Sequence, residues 1–216
     1  MTNAFLSEVY VNHGAIVSVT SASSYKAETP EQVEARIFQV AQRTRASSLS
    51  GPVKRGACLG PLVIDAGQDG EVFTLSFTSL TVKDLTVSID MNSVVAESDG
   101  GLLTRRAANG SALASLNFRS TVLRKGALTI GGRPAEELLE SGKDHDKRVL
   151  GFYGETLLKT PSRFDAPQIA IEMKMGGQVS GPDSGHDYVD ASLNDKDALA
   201  LWDAVVRSIR LRPGAV

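Results

Sequence analysis

Apolar and polar positions alternate with two different periods along this chain. Val9, Val11, Ile16, Val17 and Val19 crowd the start and predict strand from Val9 to Thr20, as one strand or as two bent near Asn12–Gly14. The pattern then turns helical: Val33, Ile37, Val40, Ala41 and Thr44 recur on one face behind Thr29-Pro30-Glu31-Gln32, a capping box with proline at the first helical position. Ala57–Asp65, Glu71–Ser79 and Asp84–Met91 read as strands of an antiparallel meander packed on that helix. In the second of them Phe73, Leu75 and Phe77 form the face expected inside.

The second half repeats the mixture without repeating residues. Asp99–Asn117 is ambiguous between helix and loop, because Gly100, Gly101 and Gly110 interrupt it. Thr121–Ile130 reads as strand into a turn at Gly131-Gly132, and Glu136–Glu140 as a short helix or an extended piece. Lys147–Leu158 and Ala166–Met175 form a long antiparallel pair, and Gly176–Tyr188 a glycine-rich loop. The final helix follows, with Asn194 as cap (Ser192 the alternative), a stripe of Ala198, Leu201, Trp202, Val205 and Ile209, and Arg207 and Arg210 at its end. Trp202 is assigned to the core. The fold class is therefore α+β, with antiparallel strand meanders packed on two principal amphipathic helices and a division into two similar subdomains left open.

Composition narrows the function classes. The content is that of a globular protein, 42% hydrophobic and 22% charged. Twenty-three basic and 25 acidic residues are mixed along the chain, so no basic tract suits nucleic acid. No apolar run is long enough to span a membrane, and no signal-peptide pattern opens the chain. Cys58, the single cysteine, rules out an internal disulfide and reads as a small core residue.

A search for chemistry finds little. His145 lies between Asp144 and Asp146, and His186 between Asp183 and Asp187, but neither has the spacing of a zinc or calcium site. Ser184, His186 and Asp187 are too nearly consecutive to form a hydrolytic relay, and Gly177-Gln-Val-Ser-Gly181 places its serine one position late for a nucleophile elbow. No catalytic residue, metal or cofactor is nominated. The distinctive surface candidates are loops with exposed arginines and aromatics: Arg105, Arg106, Arg163, Phe164, Asp187 and Tyr188 are the predicted partner-binding residues.

A further set of segments carries a family resemblance. These are Gly56-Ala-Cys-Leu-Gly60, Leu102-Leu-Thr-Arg-Arg106, Leu128-Thr-Ile-Gly-Gly132 with Glu136-Glu-Leu-Leu139, Ile171-Glu-Met173, Gly176-Gly177, Ala198-Leu-Ala-Leu-Trp-Asp-Ala204 and Ser208-Ile-Arg-Leu-Arg-Pro213. In this order and spacing the chain resembles the C-terminal domain of immunity proteins that neutralise type VI secretion phospholipase effectors. The resemblance covers residues 25–216, leaving 1–24 as the end of a preceding domain or a linker. It implies a non-catalytic protein that binds and occludes a lipase-like effector in the periplasm, although no leader is visible. The alternative reading is an envelope-associated adaptor or structural protein-binding domain. Homo-oligomerisation is not readable from the residues.

Overall fold

The computed structural model describes residues 6–12, 17–23, 28–46, 56–59, 62–65, 72–96, 100–109, 120–163, 166–180 and 186–210. The fold is α+β with antiparallel sheets, and the chain divides into two compact units, 1–69 with 212–216, and 70–211.

In the first unit, strands β1 (Leu6–Asn12) and β2 (Val17–Ser23) pair antiparallel, so the opening apolar run is two strands. Helix α1 (Pro30–Arg43) follows, and its capping box is formed: the Thr29 hydroxyl accepts from the Gln32 amide at 3.3 Å, and the Gln32 side-chain oxygen accepts from the Thr29 amide at 2.8 Å. Val33, Ile37 and Ala41 are its buried face. Strands β3 (Thr44–Ala46), β4 (Gly56–Leu59) and β5 (Leu62–Asp65) make a sheet in the order β3-β5-β4. Cys58 lies in β4, but its side chain falls outside the described set.

The second unit is built on a six-stranded sheet. Strands β6 (Val72–Thr78), β7 (Leu85–Asn92), β8 (Thr121–Ile130), β9 (Arg133–Asp144), β10 (Lys147–Thr156) and β11 (Gln168–Met175) are ordered β6-β7-β11-β10-β9-β8. This corrects the expected meander: 57–65 pairs in the first unit, whereas β6 and β7 join the larger sheet by way of β11. Helix α2 (Leu102–Asn109) occupies part of the ambiguous Asp99–Asn117 segment. Gly176–Tyr188, read as a loop, holds two short paired strands, β12 (Gly177–Ser180) and β13 (His186–Val189). Their few apolar residues hid the period-two signal.

Successive residues on a strand face opposite sides of the sheet, and here the two sides differ chemically. Ile89, Ile171, Phe152 and Leu139 share one side with Met173, Met175 and Ile130, in one hydrophobic core with Ala198, Trp202 and Val206 of helix α3 (Asp195–Ser208). Val206, outside the stripe read from the sequence, is buried together with Ala198 and Trp202. The other side carries Thr74, Ser76, Ser88, Asp90, Glu172, Tyr153, Glu155 and Glu136. Phe77 corrects the reading of β6: it faces the apolar side yet is 53% exposed, because β6 ends the described sheet.

Candidate partner-binding surface

Under α3 the polar groups close on one another. Trp202 is fully buried, edge-on to Phe152 with ring centroids 6.0 Å apart, and its indole N–H donates to Glu137 Oε2 at 2.8 Å. Arg124 of β8 pairs with the same Glu137 at 2.6 Å and reaches Asp203 of α3 at 3.3 Å. A buried carboxylate is tolerable only when its oxygens are matched in this way. This network fastens the helix to the sheet, and Arg124, Glu137 and Asp203 also line an open recess of about 460 Å³ beside it.

The opposite side is different. Arg105 of α2 donates from one guanidinium nitrogen to both oxygens of Glu155, at 2.7 and 2.8 Å, and from the other to the Gly100 carbonyl at 2.7 Å. Glu136 accepts from the Leu103 amide at 2.9 Å, docking the start of α2 on β9. Arg106 lies over the Tyr153 ring, 5.2 Å from its centroid. Burial, followed by the charge and hydrogen bond of Glu172, pushes the Tyr153 phenol far above its ordinary pKa, so it stays protonated as a donor.

These residues surround a recess of about 330 Å³ whose polar lining is Asp90, Arg105, Arg106, Tyr153, Glu155 and Glu172. Ala170 keeps it open: it sits between Asp90 and Glu155 across the sheet, and its short side chain leaves room above it. Three carboxylates face two guanidiniums, and the phenol, the ion pair and the cation–π contact hold them in place. Such a recess can receive a polar side chain. It offers no nucleophile paired with a base.

The predicted partner-binding residues fall into separate groups. Arg105 and Arg106 are adjacent on α2. Asp187 and Tyr188 lie on β13, where Asp187 is exposed and the Tyr188 ring stacks on His145 at 3.9 Å. His145 belongs to the two-residue β9–β10 turn, with φ of 47° at His145 and 61° at Asp146, and hydrogen-bonds Asp144 at 2.7 Å. This turn and Glu155 lie toward opposite ends of β10; Arg148 to Glu155 alone is roughly 23 Å of strand at about 3.3 Å per residue. Arg163 is exposed and bridges to Ala166 before β11, and Phe164 falls outside the described residues. Thus the structure brings Arg105 and Arg106 together, and Asp187 and Tyr188 together, but not the two pairs with each other.

Asp183 and Ser184 also fall outside the described residues, as does the His186 side chain. Among the described residues no three His, Cys, Asp or Glu side chains converge as metal ligands. Asp90, Tyr153 and Glu172 were missed because each stands as an ordinary polar position in a strand, and only pairing across β7, β11 and β10 brings them together.

Asp84, which stands immediately before β7, is a fastener. It accepts from the Gly176 amide at 3.1 Å, the Ser192 amide at 2.9 Å and the Ser192 hydroxyl at 2.7 Å. Burial works to raise its pKa, but these hydrogen bonds outweigh it and hold the carboxyl below its ordinary value of 3.8. The unfolded chain then binds the proton more readily. The contribution to stability is present above pH 3.8 and is lost as the pH falls through the lower folded value. Chemical unfolding followed from about pH 6 to about pH 3 is expected to show a shallower acid loss in Asp84→Asn than in the parent. Identical slopes would remove Asp84 from the account.

A family model described as the Tle cognate immunity protein 4 C-terminal domain matches residues 50–214. The apo structure of the immunity protein TplEi of the T6SS from Pseudomonas aeruginosa superposes with a TM-score of 0.61 at 23% identity, covering 98% of this chain and 69% of that one. The same protein complexed with "L" peptide gives 0.61 at 25% identity, over 96% and 72%. The Tle4–Tli4 complex gives 0.61 at 23% identity, over 99% and 70%. No curated protein sequence matches.

Proposed function

The chain belongs to the Tle cognate immunity protein 4 C-terminal domain family, and from that membership we propose that it binds and occludes a lipase-like type VI secretion effector, protecting the cell that makes the toxin. The observation that carries this reading is the family match over residues 50–214. The protein acts by covering the effector, not by turning over a substrate, and the self-satisfied polar groups around Tyr153 agree with such a role. Helices α1 and α3 are scaffold, since each buries an apolar face, Val33, Ile37 and Ala41 on one and Ala198, Trp202 and Val206 on the other. The effector lies outside the cytoplasm in this reading, which puts the chain in the periplasm. Residues 25–216 form its C-terminal domain, and 1–24 belong to a preceding domain or linker. No helix among the described residues is long and apolar enough to cross a membrane.

Contact with the effector is assigned to Arg105, Arg106, Arg163, Phe164, Asp187 and Tyr188. What supports this is exposure next to charge: Arg163 and Asp187 are exposed, and Arg106 edges the recess on an aromatic ring. Arg105 contributes through its ion pair, which holds α2 and hence Arg106 in position. The spread of these residues suits a broad interface, of the order of 800 Å² per partner, better than a single socket.

The test is co-purification with the lipase-like product of the adjacent gene, followed by a lipase inhibition assay. A variant carrying Arg106→Ala, Arg163→Ala, Asp187→Ala and Tyr188→Ala is expected to bind the effector about 10- to 100-fold more weakly. Its circular dichroism should be unchanged. Undiminished affinity in that variant would remove the contact assignment, while a parent chain that neither binds nor inhibits would remove the immunity reading itself.

A further inference from the structure

Among the described residues, the two edges of the six-stranded sheet are unlike. Strand β8, at one edge, is guarded: its pairing with β9 breaks register between Val122 and Arg124, Arg124 and Lys125 put charge on it, and Gly126 takes a φ of +154°. Bulges and charges of this kind stop an edge from accepting another strand. Strand β6, at the other edge, has none of them. Val72-Phe-Thr-Leu-Ser-Phe-Thr78 carries no charge, proline or glycine, and all seven residues pair with β7 without a register shift. Val72 is 63% exposed, Phe77 53%, and Leu80, just past the strand, 94%.

The direction of the backbone groups follows from the pairing. The Ser79 amide donates to the Leu85 carbonyl, so Ser79 and Leu85 stand as a hydrogen-bonded pair. In an antiparallel ladder such pairs alternate with non-bonded ones, whose side chains come closer together. Phe77, Leu75 and Phe73 then bond to β7, while Thr78, Ser76, Thr74 and Val72 turn their N–H and C=O groups away from it. The side chains agree: Ser76 and Ser88 hydroxyls meet at 3.0 Å, and the Thr74 hydroxyl bonds Asp90. A row of four outward donors and four outward acceptors, at strand spacing, is complementary to one chemistry, an extended polypeptide backbone.

We infer that β6 is a docking edge which takes an extended, uncharged segment of the effector as an added strand of the sheet. This rests on the effector-binding reading and deepens it. The segment would match Thr74, Ser76 and Thr78 with small or hydroxyl side chains on the polar side, and set an apolar side chain against Phe77 on the other. A second copy of this chain is the poorer occupant. Seven residues of edge fall well short of the roughly 20–30 residues a side that a stable interface uses, so the edge serves as one part of the larger effector contact and does not suffice for a dimer.

Ser76→Pro separates these possibilities, because it deletes an outward amide and leaves the bonds to β7 in place, a position where an edge strand accepts proline. Thr78→Lys keeps every backbone group and adds a guarding charge. Titration calorimetry against the lipase-like effector is expected to show both variants binding about tenfold or more weakly, with thermal unfolding of the free chains close to that of the parent. Hydrogen exchange on the parent complex should show new protection at the Thr74, Ser76 and Thr78 amides, a readout that stands even if a variant folds poorly. Parent-like affinity in both variants, or unprotected amides in a complex that does form, would overturn the docking edge and leave the immunity function intact. A parent that fails to bind the effector overturns the immunity function first. A parent dimer made monomeric by Ser76→Pro would assign the edge to a second copy and defeat the inference.

Discussion

Trp202→Ala is expected to lower the free energy of unfolding by about 3–5 kcal/mol, a large share of the roughly 5–15 kcal/mol that holds a domain together. Two losses combine. The ring fills the space between α3 and the sheet, edge-on to Phe152 and directly over Gly154, where an added Cβ would come within 3.0 Å of it. Its N–H is also a partner of buried Glu137, whose other oxygen is held by Arg124. Trp202→Phe isolates the second loss, since it keeps an aromatic ring and deletes the donor; about 1–3 kcal/mol is expected there. Denaturant unfolding should be followed by far-ultraviolet circular dichroism, because Trp202 is the only tryptophan and its removal silences fluorescence. A loss below about 1 kcal/mol in the alanine variant would mean that the helix is held by something other than this side chain.

Gly176→Ala is expected to cost a comparable amount for a different reason. Gly176 has φ +71°, a left-handed conformation that penalises a side chain by about 1–2 kcal/mol. The new methyl would also lie 2.5 Å from the Arg148 carbonyl oxygen and 2.6 Å from the Ala191 nitrogen, two atoms that hydrogen-bond each other at 2.7 Å. Wedging apart a backbone bond in a packed junction adds about 1–3 kcal/mol or more. Gly132→Ala is the control: φ is +82°, but nothing lies within 4 Å of its added Cβ, so only the conformational penalty of about 1–2 kcal/mol should appear. Equal losses at the two positions would show that crowding at the Arg148–Ala191 bond contributes nothing.

The elements with a strong local signal were legible before any coordinates. The capping box at Thr29 and Gln32, the Asn194 cap, the Lys147–Met175 strand pair and the burial of Trp202 each depend on residues near in sequence or on a clear period. What was not legible depends on strand order. Phe77 reads as an inner residue when β6 is taken by itself, and it is exposed because β6 is the last strand of the sheet among the described residues. Nothing in the sequence sets Glu137 and Glu140 apart from other glutamates, yet both are buried on β9. Glu137 has Arg124 from β8 and Trp202 from α3 as partners, 13 and 65 residues away in sequence. Arg105 and Arg106 look equivalent on paper, and only the approach of Glu155 to one and Tyr153 to the other separates an internal tie from a surface cation. The immunity family was readable from ordered short segments, whereas the recess around Ala170 was not, because it needs three strands that are far apart in the chain.

The insertion of β11 between β7 and β10 has a consequence for synthesis. Residues 85–92 pair with β6 at once but cannot find their second sheet neighbour until 168–175 exist, and α3 at 195–208 joins the same core later still. Pairings of such high sequence separation form slowly, so the β6–β7 hairpin leaves the ribosome long before β11 can join it to the rest of the sheet. A nascent chain halted before β11 would lack the strand that joins the β6–β7 hairpin to β8–β10, which commits this domain to folding after translation of nearly its whole length.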